Sequence, residues 1–467
     1  MGQDMTKGNP IHLIIQFTLP MLLGNVFQQF YSMADTYIVS QTLGVEAFSA
    51  VGSTGSITFL ILGLATGLTA GLSVITAQYF GKKDFVGLRR NLAASLMISL
   101  AITLILTIFA TMYTREILSL MKTPANLIDD AQAYLVVIFA GTGASVMFNL
   151  LSNVLRAIGD SKTPLLFLAI TSALNVILDY WFILGFHTGV EGAGYATVLS
   201  QLVASILCLV YIWKKVPMLR IYKEDWKITK KEWIHHLRIS LPMGFQSSII
   251  AVGSMTIQTT LNSLGATAVA ATTAAEKING MATMPLQSFG VTMATYTAQN
   301  FGAGNYDRIW VGVKKVSQLV LGYSFVMGIL LVTFGRQFAS VFVGNGSDAI
   351  LDNVQIYFLT NATFYFLLAL LFIYRYTLQG LGNSSAPTAA GVMELISRML
   401  AAVLLANVFG FAGVSIAGPL AWLGALIPLF ISYYTTKKRL ENGEPMETEK
   451  DFSLTDAVSK LIPRFAR

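Results

Sequence analysis

Twelve mostly apolar stretches, each close to the length needed to cross a bilayer, set the first limit on what this chain can fold into. They lie at about 13–38, 48–78, 91–112, 131–155, 164–185, 192–213, 237–262, 270–298, 312–334, 353–378, 388–409 and 414–436. A helix needs roughly 20 such residues to span the hydrocarbon core, and only helices and closed barrels leave no backbone group unbonded there. Of the 467 residues, 54% are hydrophobic and 12% charged. Soluble domains carry about 25% charged residues, so this chain lacks the polar covering of a soluble enzyme. Disorder is excluded as well, because disordered chains are poor in aromatic residues and rich in charge. The single Cys208 leaves no intramolecular disulfide and no cysteine metal cluster. The first stretch contains Pro20 and Asp35 and reads as a span, not a cleavable leader. The expectation is an all-α integral membrane protein with twelve transmembrane helices.

The net charge of +7 is explained by where the basic residues fall. Of 31 Lys and Arg, 25 lie in alternate loops and at the termini: Lys7, Lys82 to Arg90, Arg156 and Lys162, Lys214 to Arg238, Arg308 to Lys315, and Lys437 to Arg467. Only Arg115, Lys122 and Arg336 fall in the opposite loops. Such an imbalance places the basic loops and both termini in the cytoplasm. It makes a nucleic-acid partner unnecessary and leaves membrane lipids as the neighbours of the chain.

An internal duplication runs through the sequence. Leu19-Pro20-Met21 returns as Leu241-Pro242-Met243, and Leu43-Gly44-Val45-Glu46-Ala47 as Leu264-Gly265-Ala266-Thr267-Ala268. Ala77-Gln78-Tyr79-Phe80-Gly81 returns as Ala298-Gln299-Asn300-Phe301-Gly302, and Ile158-Gly159-Asp160-Ser161 as Leu381-Gly382-Asn383-Ser384. The offsets stay between 221 and 223. Two six-helix lobes follow: residues 1–213, a basic linker at 214–236, residues 237–436, and a polar tail at 437–467. Six is even, so both lobes enter the membrane in the same direction, as parallel repeats about an axis along the membrane normal. The linker reads either as an amphipathic segment on the cytoplasmic surface or as a plain solvated tether.

These blocks resemble the multidrug and toxic compound extrusion (MATE) family from about residue 10 to 436. The motifs that carry the likeness are the Leu-Pro-Met segment with Asp35-Thr36 and Leu43-Gly44, then Ala77-Gln78-Tyr79-Phe80-Gly81-Lys82-Lys83-Asp84. Gln299-Asn300-Phe301-Gly302, Arg156 to Pro164 and Leu378 to Asn383 complete them. The acidic residues are most similar to the prokaryotic DinF-like branch. The resemblance implies a multi-pass protein of the prokaryotic plasma membrane, and a monomer is the default expectation. It would exchange a cation for drugs or other amphipathic, often cationic, small molecules by alternating access. No cofactor is expected beyond the coupling ion, H⁺ or Na⁺.

Ionisable residues inside spans are costly and are functional candidates by default. Asp35 lies in the first stretch, Asp179 in the fifth, and Asn175 one helical turn before Asp179. The resemblance implies that Asp35, Asn175 and Asp179, with Thr197 of the sixth stretch, form a proton- or cation-coupling site in the first lobe. Two carboxylates with amide and hydroxyl oxygens suit a shared proton or Na⁺, and the carbonyl of Tyr31 would add a ligand. The second lobe carries other charges. Glu394 and Arg398, four residues apart, read as a structural ion pair, and Glu276 as a contact for substrate. Arg375, near a helix end, reads as a snorkelling or lipid-phosphate-binding side chain. Phe27, Phe30, Met281, Met284 and Met293 are candidates for an adaptable cavity, because aromatic and thioether side chains repack around varied shapes. Proline inside helices, at Pro20, Pro242 and Pro285, removes a backbone bond and permits bending.

Two other function classes fit parts of the sequence. An intramembrane aspartyl protease also uses paired aspartates, but Asp179 follows Asn175-Val176-Ile177-Leu178 where that chemistry uses Gly-x-Gly. A flippase for lipid-linked sugars would carry extra helices and a strongly basic cavity, and neither is present. The four histidines are scattered and show no zinc-ligand spacing.

Overall fold

The computed structural model describes residues 2–121, 123–343 and 348–444, so Lys122 and the tail beyond 444 lie outside the described residues. Among the described residues, seventeen α-helices follow one another. The first nine are α1 (Pro10–Leu43), α2 (Val45–Ser53), α3 (Gly55–Lys82), α4 (Phe85–Met112), α5 (Thr114–Leu120), α6 (Ile128–Ala140), α7 (Thr142–Ala157), α8 (Lys162–Tyr180) and α9 (Val190–Lys215). After the linker come α10 (Lys230–Ser263), α11 (Ala266–Gly302), α12 (Tyr306–Val343), α13 (Asp348–Asn361), α14 (Tyr365–Gly380), α15 (Ser385–Phe409), α16 (Phe411–Ser415) and α17 (Ala417–Glu441). Among the described residues, nine spans are long and apolar enough to cross a membrane, and α6 with α7, bent by 48°, makes a tenth. Helices α10 and α11, at 34 and 37 residues, are long enough but more polar, and they complete the twelve crossings.

Several expected single helices are broken. The second crossing breaks at Thr54, the fourth at Gly141, and the tenth carries a short 3₁₀ turn at Ala362–Phe364. Helix α8 continues beyond Tyr180 into a π-helical turn, Trp181–Gly185, two residues after Asp179. Pro20, Pro242 and Pro285 do lie inside α1, α10 and α11, and Pro428 lies inside α17.

The duplication is visible in the backbone. Gly44 and Gly265, at equivalent places before α2 and α11, have φ of 89° and 95°. Gly159 and Gly382, in the equivalent turns after α7 and α14, have φ of 88° and 85°. Side chains rarely adopt such angles, which explains why both repeats hold glycine there.

The described chain forms two compact units. The first takes the residues up to Met5 and Gln16–Ser248, and the second takes Thr6–Ile15 and the chain from Ile249 on. In the first unit Gly63, Gly67 and Gly71 stand four apart on the α3 face that meets α10. A Cβ on Gly67 would lie 2.4 Å from the Met243 carbonyl oxygen, and one on Gly71 would lie 2.6 Å from Ser240 Cα. Small residues at this spacing let two membrane helices touch backbone to backbone. A core of Leu68, Leu72, Leu88, Leu92, Leu150, Leu151 and Leu155 lies in the same unit, with Leu237 and Leu241 of α10 packed against it. The outward faces are apolar instead, as in Leu104, Ile105, Ile108 and Met112 of α4.

The linker is docked on the first unit and does not hang free as a solvated tether. Arg89 Nε donates to Asp225 Oδ2 at 3.1 Å, and the Arg89 guanidinium carbon lies 5.2 Å from the Tyr222 ring centre. Arg90 Nη2 donates to Glu232 Oε2 and to the Lys227 carbonyl, both at 2.9 Å. His236, 3% exposed, sets Nδ1 2.6 Å from the Glu232 carbonyl oxygen and Nε2 2.8 Å from Asn91 Oδ1. Asn91 Nδ2 in turn donates to Thr76 Oγ1 at 2.7 Å.

Candidate functional site

The candidate site lies inside the first unit, where α8 turns a stripe of polar residues inward. Its buried positions are Pro164, Phe167, Thr171, Asn175, Leu178 and Asp179, three or four residues apart, so one helix face points into the bundle. Asn175 and Asp179 are both 0% exposed. Asp35 of α1 is half-buried, and its carboxyl lies within hydrogen-bonding reach of the Asp179 carboxyl. The structure thus brings Asp35 and Asp179 together, with Asn175 one turn away.

Three buried carboxylate oxygens (Asp35 Oδ1 and both oxygens of Asp179) receive no hydrogen bond from any donor among the described residues. The Asn175 side-chain amide is likewise unpartnered at both ends. Two ionised carboxylates can only accept, so a direct bond between them requires a proton on one. Leaving such groups buried and unmatched is expensive. The donor set, two carboxylates and an amide oxygen, fits a shared proton or a small hard cation.

Tyr31 and Thr197 meet, as the Tyr31 hydroxyl donates to Thr197 Oγ1 at 3.2 Å. Asp35 and Asp179 act electrostatically on the Tyr31 hydroxyl, and the Tyr31 carbonyl lies in α1 one turn before Asp35. Sequence reasoning missed Tyr134 of α6, on whose hydroxyl Asp35, Tyr31 and Asp179 all act electrostatically. Nothing in its sequence context distinguishes Tyr134 from the other tyrosines of the spans. An apolar layer of Ile38, Val39, Ile183, Val190 and Ala193 packs beside these residues, with Tyr134 and Val176 against it.

The remaining candidates divide. Phe27, Phe30 and Met281 are exposed, at 46%, 60% and 61%. Met284 is half-buried, whereas Met293 is fully buried in the second unit and lines no surface. Glu276 is exposed on α11. Glu394 pairs with Arg398 at 2.8 Å, and it also pairs with Arg375 at 2.7 Å. Arg375 is 5% exposed, so the snorkelling expectation is corrected. Its charge is matched inside the protein by Glu394 of the next helix, and it does not reach the headgroups.

The MatE family model matches residues 20–181 and again 242–404, in step with the duplication. The probable multidrug resistance protein YpnP of Bacillus subtilis (strain 168) is 28% identical over 346 residues, covering 73% of this chain and 76% of that protein. The FAD transporter of Shewanella oneidensis is 24% identical over 416 residues, covering 87% of this chain and 91% of that protein. A crystal structure of MATE in the bent conformation shares the fold, with a TM-score of 0.87 at 23% identity over 95% of this chain and 99% of that one. The chain belongs to the MatE family, the MATE transporters, and is a multi-pass protein of the cell membrane.

Proposed function

We propose that this protein exports amphipathic small molecules by alternating access and couples each cycle to proton uptake at Asp35 and Asp179. The observation that carries the reading is the buried carboxyl pair without a protein donor. With both groups ionised, repulsion and desolvation oppose their approach, and one proton converts the clash into a hydrogen bond. Asp179 is fixed in the core of α8, so α1, which carries Asp35 and the internal Pro20, is the element that adjusts. Tyr31 and Thr197 hold the adjacent turn of α1 against α9. Only a proton affinity that differs between the two orientations of the transporter can couple proton flow to export.

The names of relatives, a probable multidrug resistance protein and an FAD transporter, support small-molecule export and leave the substrate open. Sodium is the second candidate ion, because the unpartnered Asn175 amide oxygen and the two carboxylates are hard ligands. The test is efflux of a fluorescent amphipathic cation from proteoliposomes under an imposed pH gradient or an imposed Na⁺ gradient. Export driven by the pH gradient alone is the expected result. Export that follows only the Na⁺ gradient replaces the proton with sodium, and export indifferent to both refutes coupling.

A further inference from the structure

The outer surface of α9 ends, on its cytoplasmic side, in a group of side chains that the Asp35–Asp179 site does not use. Leu199, Leu202, Ile206, Leu209 and Trp213 are exposed at intervals of three or four residues, so they form one apolar stripe along this span. In a bilayer such a stripe meets hydrocarbon. Helix α9 ends at Lys215, where the basic linker begins. Trp213, the last residue of the stripe and 66% exposed, therefore stands at headgroup level, where tryptophan is favoured. Lys214 and Lys215 share its turn.

The chain then folds back onto that helix end. Around the 3₁₀ turn Pro217–Leu219, Val216 and Leu219 are buried in the core that holds Leu88, Leu92 and Ile212. The turn brings Arg220 round to α9, where its Nε donates to the Trp213 carbonyl at 2.8 Å. That carbonyl is one of the last four of the helix, which have no amide partner within it. The bond fixes the guanidinium against the Trp213 turn and leaves its Nη groups without a partner among the described residues. A guanidinium held in this way presents a fork of N–H groups suited to phosphate oxygens.

The acids of the linker do not cancel this charge. Residues 214–236 hold seven Lys and Arg against three Asp and Glu. Asp225 accepts from Arg89 and the Tyr222 amide, and Glu232 accepts from Arg90 and Thr229. Only the exposed Glu224 is left to offset the seven. Lys214, Lys215, Lys223, Lys227, Lys230 and Lys231 are exposed and form no ion pair among the described residues. A basic collar at the mouth of a span complements an anionic leaflet. A soluble acidic partner would have no use for Trp213, whose ring continues the hydrocarbon-facing stripe.

We propose that the cytoplasmic end of α9 binds an acidic phospholipid. The Arg220 guanidinium and the Lys214 ammonium take its phosphate, and the Trp213 ring packs on the first part of its acyl chain. The remaining lysines of the linker draw anionic lipid toward the site. This inference stands independently of the coupling and export readings.

The test is tryptophan quenching on the full chain in phosphatidylcholine nanodiscs that carry a rising fraction of brominated phosphatidylglycerol or, in parallel, of brominated phosphatidylcholine. The Trp213 signal is the difference between each protein and its Trp213→Phe version. Phosphatidylglycerol is expected to quench Trp213 half-maximally at an about 50-fold lower fraction than phosphatidylcholine. Of this, roughly tenfold comes from a charge-assisted hydrogen bond to Arg220 and about fivefold from a lysine at an anionic surface. Arg220→Gln is expected to leave a preference of about fivefold. Lys214→Gln, which breaks no bond within the protein, is expected to leave about tenfold. Quenching by phosphatidylcholine is expected to stay the same in both, whereas a merely structural role for Arg220 would shift the two lipids together. Lys314→Gln, at an exposed lysine of α12, is expected to keep the full preference. Millimolar glycerol 3-phosphate in solution is expected not to reverse the quenching. Equal quenching by the two lipids, a parallel shift of both in Arg220→Gln, the same loss in Lys314→Gln, or reversal by glycerol 3-phosphate would each overturn the lipid site.

Discussion

Asp179→Asn is expected to leave the protein folded and to collapse gradient-driven substrate accumulation to simple equilibration. Asparagine matches aspartate in size, and its amide can donate to Asp35, so the fully buried position on α8 loses charge without losing volume. Its thermal stability is expected to equal or exceed that of the wild type, because an unmatched pair of buried carboxyls is removed. The coupling, by contrast, has no substitute. One charge crossing 100 mV supplies about 2.3 kcal/mol, enough for a roughly 50-fold gradient of an uncharged substrate. Without the second acid the pair cannot trade a proton, and that gradient is expected to fall to unity. Asp35→Asn should act in the same direction. Substrate counterflow without an ion gradient separates lost coupling from lost binding, and it is expected to persist. Accumulation by Asp179→Asn within about twofold of wild type, against the roughly 50-fold available, would falsify the assignment.

Glu394→Gln is expected to be among the most destabilising single changes in the second unit. Glu394 is the acid that engages both Arg375 and Arg398, at 2.7 and 2.8 Å. Neutralising it leaves two guanidinium groups in low-dielectric surroundings. Removing one partner from a buried ion pair costs roughly 3–5 kcal/mol, because the remaining charge is desolvated without compensation. Arg398→Gln should cost clearly less, since Glu394 keeps Arg375 and Arg398 is closer to water. The check is unfolding of the purified protein in a denaturing-detergent titration. A loss below about 1 kcal/mol, the range of a surface pair, would show that water reaches the cluster.

The candidate site was only partly legible. Asp35, Asn175, Asp179 and Thr197 were nameable, but through resemblance. Their spacing gives only the Asn175–Asp179 face, because residues four apart share one side of a helix. Nothing local places Asp35 against Asp179, or Tyr31 against Thr197. Tyr134 escaped notice for the same reason. Arg375 was misread because a lone arginine near a helix end has two fates, snorkelling or pairing, and the choice depends on an acid across the turn on the next helix.

The sequence by itself determined the number of crossings, since a hydrocarbon core demands about 20 apolar residues for each of them. It also determined the two-fold repetition, which the positive-φ glycines at 44 and 265 and at 159 and 382 express in the backbone. Tertiary structure alone decided the helix breaks at Thr54 and Gly141, the π turn after Asp179, the docking of the linker and the pairing of charges within each unit. Helix formation in a bilayer is dictated by composition along the chain. Which polar groups share a pocket depends on the rotation and register of helices far apart in sequence, and packing sets both.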